Sequence, residues 1–426
     1  MDPISLVNNL WLLVAALLVF TMTIAVGFLE VGELGEELWP SLVKTMIISG
    51  SGLLVMALVG FNTAFAPTVL HGFIGNPAYT GAFLGGFQPA TTLGVWWSQG
   101  PAHANTGLDL GTYFLFEVAF ATVTLALVGV VMLRKVKLEA FALYTIPYFV
   151  LIWNLPAAWI WNPSGWLAAM GMVDFAGGLV VHGAAGAAGL AFLVVIWWEE
   201  KARGLHSSPQ APLKIVPTWL TLAALLLWVG WFGFNPGSVL ALNAEVPVVV
   251  LTTFLAAATS LLSTMGFQYL LTRRDPGPIY AVNGILMGLI VITPLAGFVS
   301  PASAVVLGLL CGPLFLAGER YVGRLKWLSD PVGLLPGHLL GGLFGVVMIA
   351  FFTQTQFALL AGAPTSLPNG LLFGGGMAAV HQLGLELLGI VAVMATVFAL
   401  SFAAVWLIAK ALGGLTRPEQ YRTPAS

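Results

Sequence analysis

Eleven stretches of mainly apolar residues follow one another along this chain, over about 8–29, 43–65, 110–133, 140–161, 173–198, 215–234, 247–272, 278–298, 301–319, 331–352 and 381–409. Each approaches or exceeds the roughly 20 residues that cross a bilayer hydrocarbon core. A backbone in lipid must satisfy its own hydrogen bonds, so such stretches read as helices. Composition agrees. Only 8% of the 426 residues are charged, against roughly 25% in soluble domains, so lipid must be the main solvent. Glycine, at 50 residues, suits membrane helices that pack backbone to backbone. The expected fold is all-α, a single polytopic transmembrane domain over 1–426 with eleven spanning helices. The first run has no basic leader and no small-residue cleavage site, so it reads as a span and not a secretory signal. The stretches 66–109 and 353–380 read as loops on one side, the former with room for a short surface helix.

Basic residues stay on the cytoplasmic side of membrane proteins. With the N-terminus outside and the C-terminus inside, all 15 Lys and Arg fall on the inner side, from Lys44 to Arg422. One missed or invented span would break that segregation. The chain holds no basic tract for nucleic acid. Its single cysteine, Cys311, excludes an internal disulfide or a cysteine metal cluster and reads as a packing residue.

Two spans carry one signature. Asp174 to Gly189 and Asp330 to Gly345 both read D-x7-H-x3-G-x2-G, with His182 and His338 156 residues apart. They are the fifth and tenth spans, five apart, so the two helices run in opposite directions, as in a five-plus-five inverted repeat. Repeat one covers about 8–198 and repeat two about 215–352. A further helix at 381–409 and a cytoplasmic tail at 410–426 lie outside the repeat. Gly178, Gly183, Ala185, Gly186, Gly189, Gly342 and Gly345 give the signature helices their close packing. Ionisable residues at membrane depth are costly and usually face a pathway. One such histidine could be a satisfied core residue; two at matching repeat positions point to a pathway. A metal site is weaker, because His71, His103, His206 and His381 all fall in loops or at a helix start and supply no third ligand at a repeat-related position. No cofactor is expected. Asp174 and Asp330 each begin a signature helix and read as caps; Asp174, at the outer end, also adds negative potential that favours a cation.

The segment 174–189 resembles the signature of the ammonium transporter (Amt/Rh) family, in its Amt-like branch. Trp228 to Ser238 resembles the family's sixth helix. Trp159-Ile-Trp161, Gly165-Trp166-Leu167, Asp330-Pro331, His381-Gln382-Leu383 and the tail Gly414 to Glu419 add to the likeness, which runs over nearly the whole chain. The resemblance implies an outer ammonium site at Phe116, Trp161 and Ser238, a stacked phenyl pair at Phe120 and Phe234, and paired pore histidines at His182 and His338. It also implies a homotrimer in the cell membrane, each subunit with its own pore, and a PII-type signal protein as cytoplasmic partner of the inner loop 199–214 and the tail.

The residue types suit that role. An aromatic face attracts a desolvated cation by about 2 kcal/mol, and a serine hydroxyl accepts a hydrogen bond from it. Carrying the intact ion into apolar surroundings costs far more, so the pore favours loss of the proton and passage of neutral ammonia, which potassium and sodium cannot imitate. Imidazoles can then donate to and accept from ammonia. Taken singly, the three phenylalanines read as core or lipid-facing aromatics, Trp161 as an interfacial anchor and Ser238 as a loop-end cap beside a chain break at Asn235-Pro236-Gly237. Ala158 stands where relatives carry a histidine, Leu179 for a threonine, Gly333 for an aspartate and Glu117 for a glutamine. The loop 33–39 lacks the family's basic stretch, and Arg134-Lys135 lacks its acidic partner. A methylated-amine transporter and an ammonium-binding sensor are the alternative readings. An intramembrane enzyme is not expected, since no nucleophile or metal set adjoins either histidine.

Overall fold

A computed structural model describes residues 2–35, 38–79, 107–132, 135–204, 215–325, 327–328, 330 and 332–416. His103, His206, Arg134, Pro331 and the tail beyond Thr416 lie outside these residues. Among them, eleven helical spans are long and apolar enough to cross a membrane: α1 Pro3–Glu33, α2 Leu38–Phe65, α3 Leu110–Val130, α4 Leu138–Ile160, α5 Gly178–Ala202, α6 Pro217–Gly237, α7 Glu245–Thr272, α8 Gly277–Leu295, α9 Pro301–Arg324, α10 Leu335–Phe352 and α11 Gly376–Ala411. Local chemistry sets several of the starts. Asp2 caps α1 through Ile4 and Ser5 N–H, Asp109 caps α3 through Gly111 N–H, and Ser300 caps α9 through Ser303 N–H. Pro3 and Pro301 occupy first-turn positions where no N–H is needed.

Some boundaries differ from the apolar windows, for identifiable reasons. The fifth and tenth windows open near their aspartates, but the helices begin at Gly178 and Leu335. The aspartates stand outside as caps, and glycines in left-handed conformation follow them, Gly177 at φ 108 and Gly333 at φ 72. The expected break at Asn235-Pro236-Gly237 is not there: α6 continues through Gly237. Pro236 removes one N–H near the C-terminal end, and Asn235 is held by its side chain, donating to Thr253 Oγ1 at 3.1 Å and accepting from Thr293 Oγ1 at 3.2 Å. The chain turns just afterwards, where Leu240 N–H reaches Gly237 O at 2.9 Å. In the loop after α2, residues 68–75 form a two-stranded ribbon, Thr68–Val69 against Ile74–Gly75.

The helices close around one continuous apolar core that includes Phe120, Trp153, Val181 and Phe234. α1 lies along α6 and α3, and α7 along α8 and α9. Small residues permit these approaches: a Cβ on Gly233 would sit 2.5 Å from Ala15 O of α1. α5 and α10, antiparallel by the alternation of spans, pack on one another, and α11 lies outside against α4, α5 and α10. Tyr144 donates to Ser401 at 2.8 Å to fix α11 on α4. The N-terminus, the loop 161–174, Ser238 and 361–364 gather at one face. The described Lys and Arg residues all lie toward the other. There Lys44 pairs with Glu30 inside the bundle, and Glu199 accepts from Leu415 N–H and Thr416 N–H at 2.5 and 3.1 Å. Cys311 is buried within α9.

Candidate functional site

The two signature histidines meet. His182 Nδ1 and His338 Nδ1 are 3.1 Å apart, with ring centroids at 5.2 Å and planes inclined by 44°. Each sits in a turn wider than an α-helical one, Gly178–Gly183 in α5 and Leu335–Leu339 in α10. His182 N–H reaches back five residues to Gly177 O at 3.0 Å. In α10 Pro336 lacks the N–H that a regular ladder needs. Wide turns of this kind gather at functional sites because they re-aim a side chain. At 3.1 Å, two ring nitrogens share one proton: one imidazole donates from Nδ1 and the other accepts. In the neutral pair the two rings are opposite tautomers, a protonation assigned by chemistry. At the far edges this leaves one Nε2 acceptor and one Nε2–H donor. His182 Nε2 has no partner among the described residues although it is buried.

That free edge adjoins a cavity of about 20 Å³ lined by His182, His338, Trp231, Phe234 and aliphatic side chains including Met22, Val123 and Leu286. A cavity of this size holds about one water-sized molecule. Phe234 and Trp231 flank His182, at 5.9 Å and 12° for Phe234 and 5.9 Å and 23° for Trp231. Trp231 lies one turn before Phe234 on α6, so its place on this face was readable from spacing, although the residue pattern alone did not single it out.

A second, larger cavity of about 320 Å³ opens at the face that carries the N-terminus. Phe116, Phe120, Trp161, Asp174 and Ser238 line it, together with Tyr113 and Glu117. Phe120 and Phe234 stand between the two cavities with centroids 4.4 Å apart and planes inclined by 42°, so the pair is tilted and not stacked in parallel. Phe120 also meets Phe116 at 4.8 Å and Trp161 edge-on at 5.6 Å. Trp161 is held by its indole N–H, which donates to Asp174 O at 2.8 Å. Ser238 donates its hydroxyl proton to Phe234 O at 3.0 Å, which leaves its oxygen lone pairs for an acceptor role.

Asp174 gives both carboxylate oxygens to the start of α5. Oδ1 accepts from Gly177 and Gly178 at 2.9 and 2.7 Å, and Oδ2 from Leu179 and Val180 at 2.8 and 3.0 Å. Burial pushes its carboxyl up from the ordinary value, and those four N–H groups oppose the rise. Asp330 does the same for α10, accepting from Leu334 and Leu335 at 3.0 and 2.8 Å. Burial raises its carboxyl too, against the backbone bonds. The other described histidines do not join the site: His71 and His381 are exposed.

A family model described as Ammonium Transporter Family matches residues 10–422. The chain belongs to the ammonium transporter family. It is 30% identical over 420 residues to an ammonium transporter of Aquifex aeolicus, covering 97% of this chain and 89% of that one. It is 31% identical to ammonium transporter Amt1 of Archaeoglobus fulgidus, covering 88% and 86%. Among solved structures it is similar to Saccharomyces cerevisiae Mep2, with a TM-score of 0.78 at 27% identity, covering 96% and 85%. It is also similar to a protein titled Sensor Amt Protein, with a TM-score of 0.81 at 25% identity, covering 98% and 97%. The chain is thus a multi-pass membrane protein of an ammonium transporter family, and that family is one of transporters, not enzymes. Of the positions that the resemblance marked as departures, Ala158 and Leu179 are fully buried in apolar packing. Gly333 occupies a left-handed turn. Glu117 places a carboxyl group in the larger cavity.

Proposed function

We propose that the protein conducts ammonium nitrogen across the cell membrane along the line of the two cavities: recruitment as the cation, release of one proton to water in the open larger cavity, and passage of ammonia over the histidine pair. The observation that carries this reading is the Nδ1–Nδ1 contact of His182 and His338 beside a cavity for one small molecule, under the Phe120–Phe234 pair. In the larger cavity the faces of Phe116 and Trp161 attract the cation by about 2 kcal/mol, and the Ser238 oxygen accepts one of its N–H bonds. The rings of Phe120 and Phe234 exclude bulk water. Beyond them the walls are apolar, and an ion moved to such a medium meets an idealised penalty of about 20 kcal/mol. Ammonia carries no such penalty. Its lone pair accepts from the Nε2–H edge of one imidazole, and its N–H groups donate to the bare Nε2 of the other. Potassium can shed water but not its charge, so the same path rejects it.

The reading places the N-terminus outside, because the described basic residues all lie toward the opposite face. It includes a homotrimer with one pathway per subunit and a PII-type signal protein as cytoplasmic partner. The test uses purified protein in liposomes, with ammonium, methylammonium and potassium gradients compared by internal pH and current. Wild type is expected to pass ammonium and exclude potassium. The combined His182→Ala and His338→Ala variant is expected to lose that selectivity; unchanged selectivity would sink the mechanism. Tight ammonium binding with no flux would make the protein a sensor, and a preference for methylammonium would make it a methylated-amine carrier.

A further inference from the structure

We propose that Glu117 is a cation-binding residue of the larger cavity, its carboxylate serving as counter-charge for ammonium or a small primary alkylammonium ion. The proposal rests on reading that cavity as the place where the cation is recruited. Glu117 lies on α3 beside Phe116 and is only 4% exposed, yet it lines the cavity. The Tyr113 hydroxyl, one turn earlier, hydrogen-bonds its carboxylate. Oε2 is buried and has no partner among the described residues. No lysine, arginine or histidine is among the described residues lining the cavity; its titratable groups are Tyr113, Glu117 and Asp174. Asp174 is committed, since four backbone N–H groups occupy its two oxygens.

A carboxylate oxygen left without a donor in apolar surroundings is expensive. The occupant that relieves it must be positive, must donate a hydrogen bond and must tolerate aromatic walls. A bare metal cation fits poorly: hard cations take about six oxygens or more, and beside the committed Asp174 the cavity's side chains offer Glu117 Oε2 and the Tyr113 and Ser238 hydroxyl oxygens amid phenyl and indole faces. An N–H cation fits on every count, with one N–H to Glu117 Oε2, one to Ser238 and the remainder over the rings.

Flux into liposomes, measured against ammonium concentration, separates this role from a structural one. Glu117→Gln keeps the shape and an acceptor for Tyr113 but removes the charge. Its half-saturating concentration is expected to rise at least about tenfold, more than its maximal flux falls, while Glu117→Asp lies between it and wild type. A folded Glu117→Gln protein within about twofold of wild type would overturn the proposal. A measurement on the wild-type protein covers the case in which variants fail to fold. Carbodiimide with glycine ethyl ester should modify Glu117, as located by peptide mass spectrometry, and ammonium chloride should suppress that labelling more than it does at the exposed Glu139 and Asp275, where ammonia competes only as an amine nucleophile; sodium chloride should suppress neither. No modification, or suppression by ammonium chloride no greater than at Glu139 and Asp275, would refute the assignment. Wild-type protein that shows protection but moves no ammonium would refute the transport reading instead and leave the binding residue standing.

Discussion

The histidine contact depends on how closely α5 approaches α10, and Gly342 sets that approach. A Cβ built on Gly342 would collide with Gly178 O and lie 3.0 Å from His182 Cβ and 3.2 Å from Gly183 N. Non-bonded carbons rest at about 3.5–4.0 Å, so Gly342→Ala must push the His182 turn away by about 0.5–1 Å. The Nδ1–Nδ1 contact begins at 3.1 Å. A displacement of that size carries it to about 3.6–4.1 Å, outside hydrogen-bond range. Overpacking at such a contact costs about 1–3 kcal/mol of stability. The lost imidazole bond, worth about 0.5–1.5 kcal/mol, corresponds to roughly a two- to tenfold fall in flux. Thermal unfolding in detergent reads the first quantity and ammonium-driven pH change in liposomes the second. Half-saturation should stay near that of wild type, because the larger cavity is untouched. A Gly342→Ala protein with wild-type melting temperature and flux would refute both the packing argument and the need for the paired rings.

Two further outcomes follow from the same geometry. Asp174→Asn puts an amide NH2 where a carboxylate oxygen now accepts two backbone N–H groups; it should lower unfolding stability by about 1–3 kcal/mol, and wild-type melting would show that the start of α5 is held by something else. Phe234→Ala empties a fully buried ring site between the cavities; it should cost about 3–5 kcal/mol and admit potassium, measured as a potassium-driven current that wild type lacks, whereas continued exclusion would relieve the phenyl pair of its barrier role.

Period and composition were enough to read the broad architecture from the chain. Spans of apolar residues, a charge deficit and one-sided basic residues leave little choice but a helical membrane bundle, because lipid forbids unsatisfied backbone. The repeated spacing from Asp174 to Gly189 and from Asp330 to Gly345 singled out His182 and His338 because an ionisable residue at depth needs a reason. Helix ends were less legible. Asp174 and Asp330 belong to caps outside their helices, and Asn235-Pro236-Gly237 looked like a break because the bonds from Asn235 to Thr253 and Thr293 come from other helices.

What the order of residues determined, then, was which groups must be buried and where the chain must span, since both follow from local hydropathy and spacing. Only the tertiary structure decided that the two imidazoles touch through Nδ1, that Phe120 and Phe234 tilt between two cavities, and that Glu117 keeps an oxygen without a donor in the larger one. Those facts depend on how closely helices distant in sequence approach; the repeated spacing marked the glycines that allow it, and only the fold assigned their partners, such as Gly342 against Gly178.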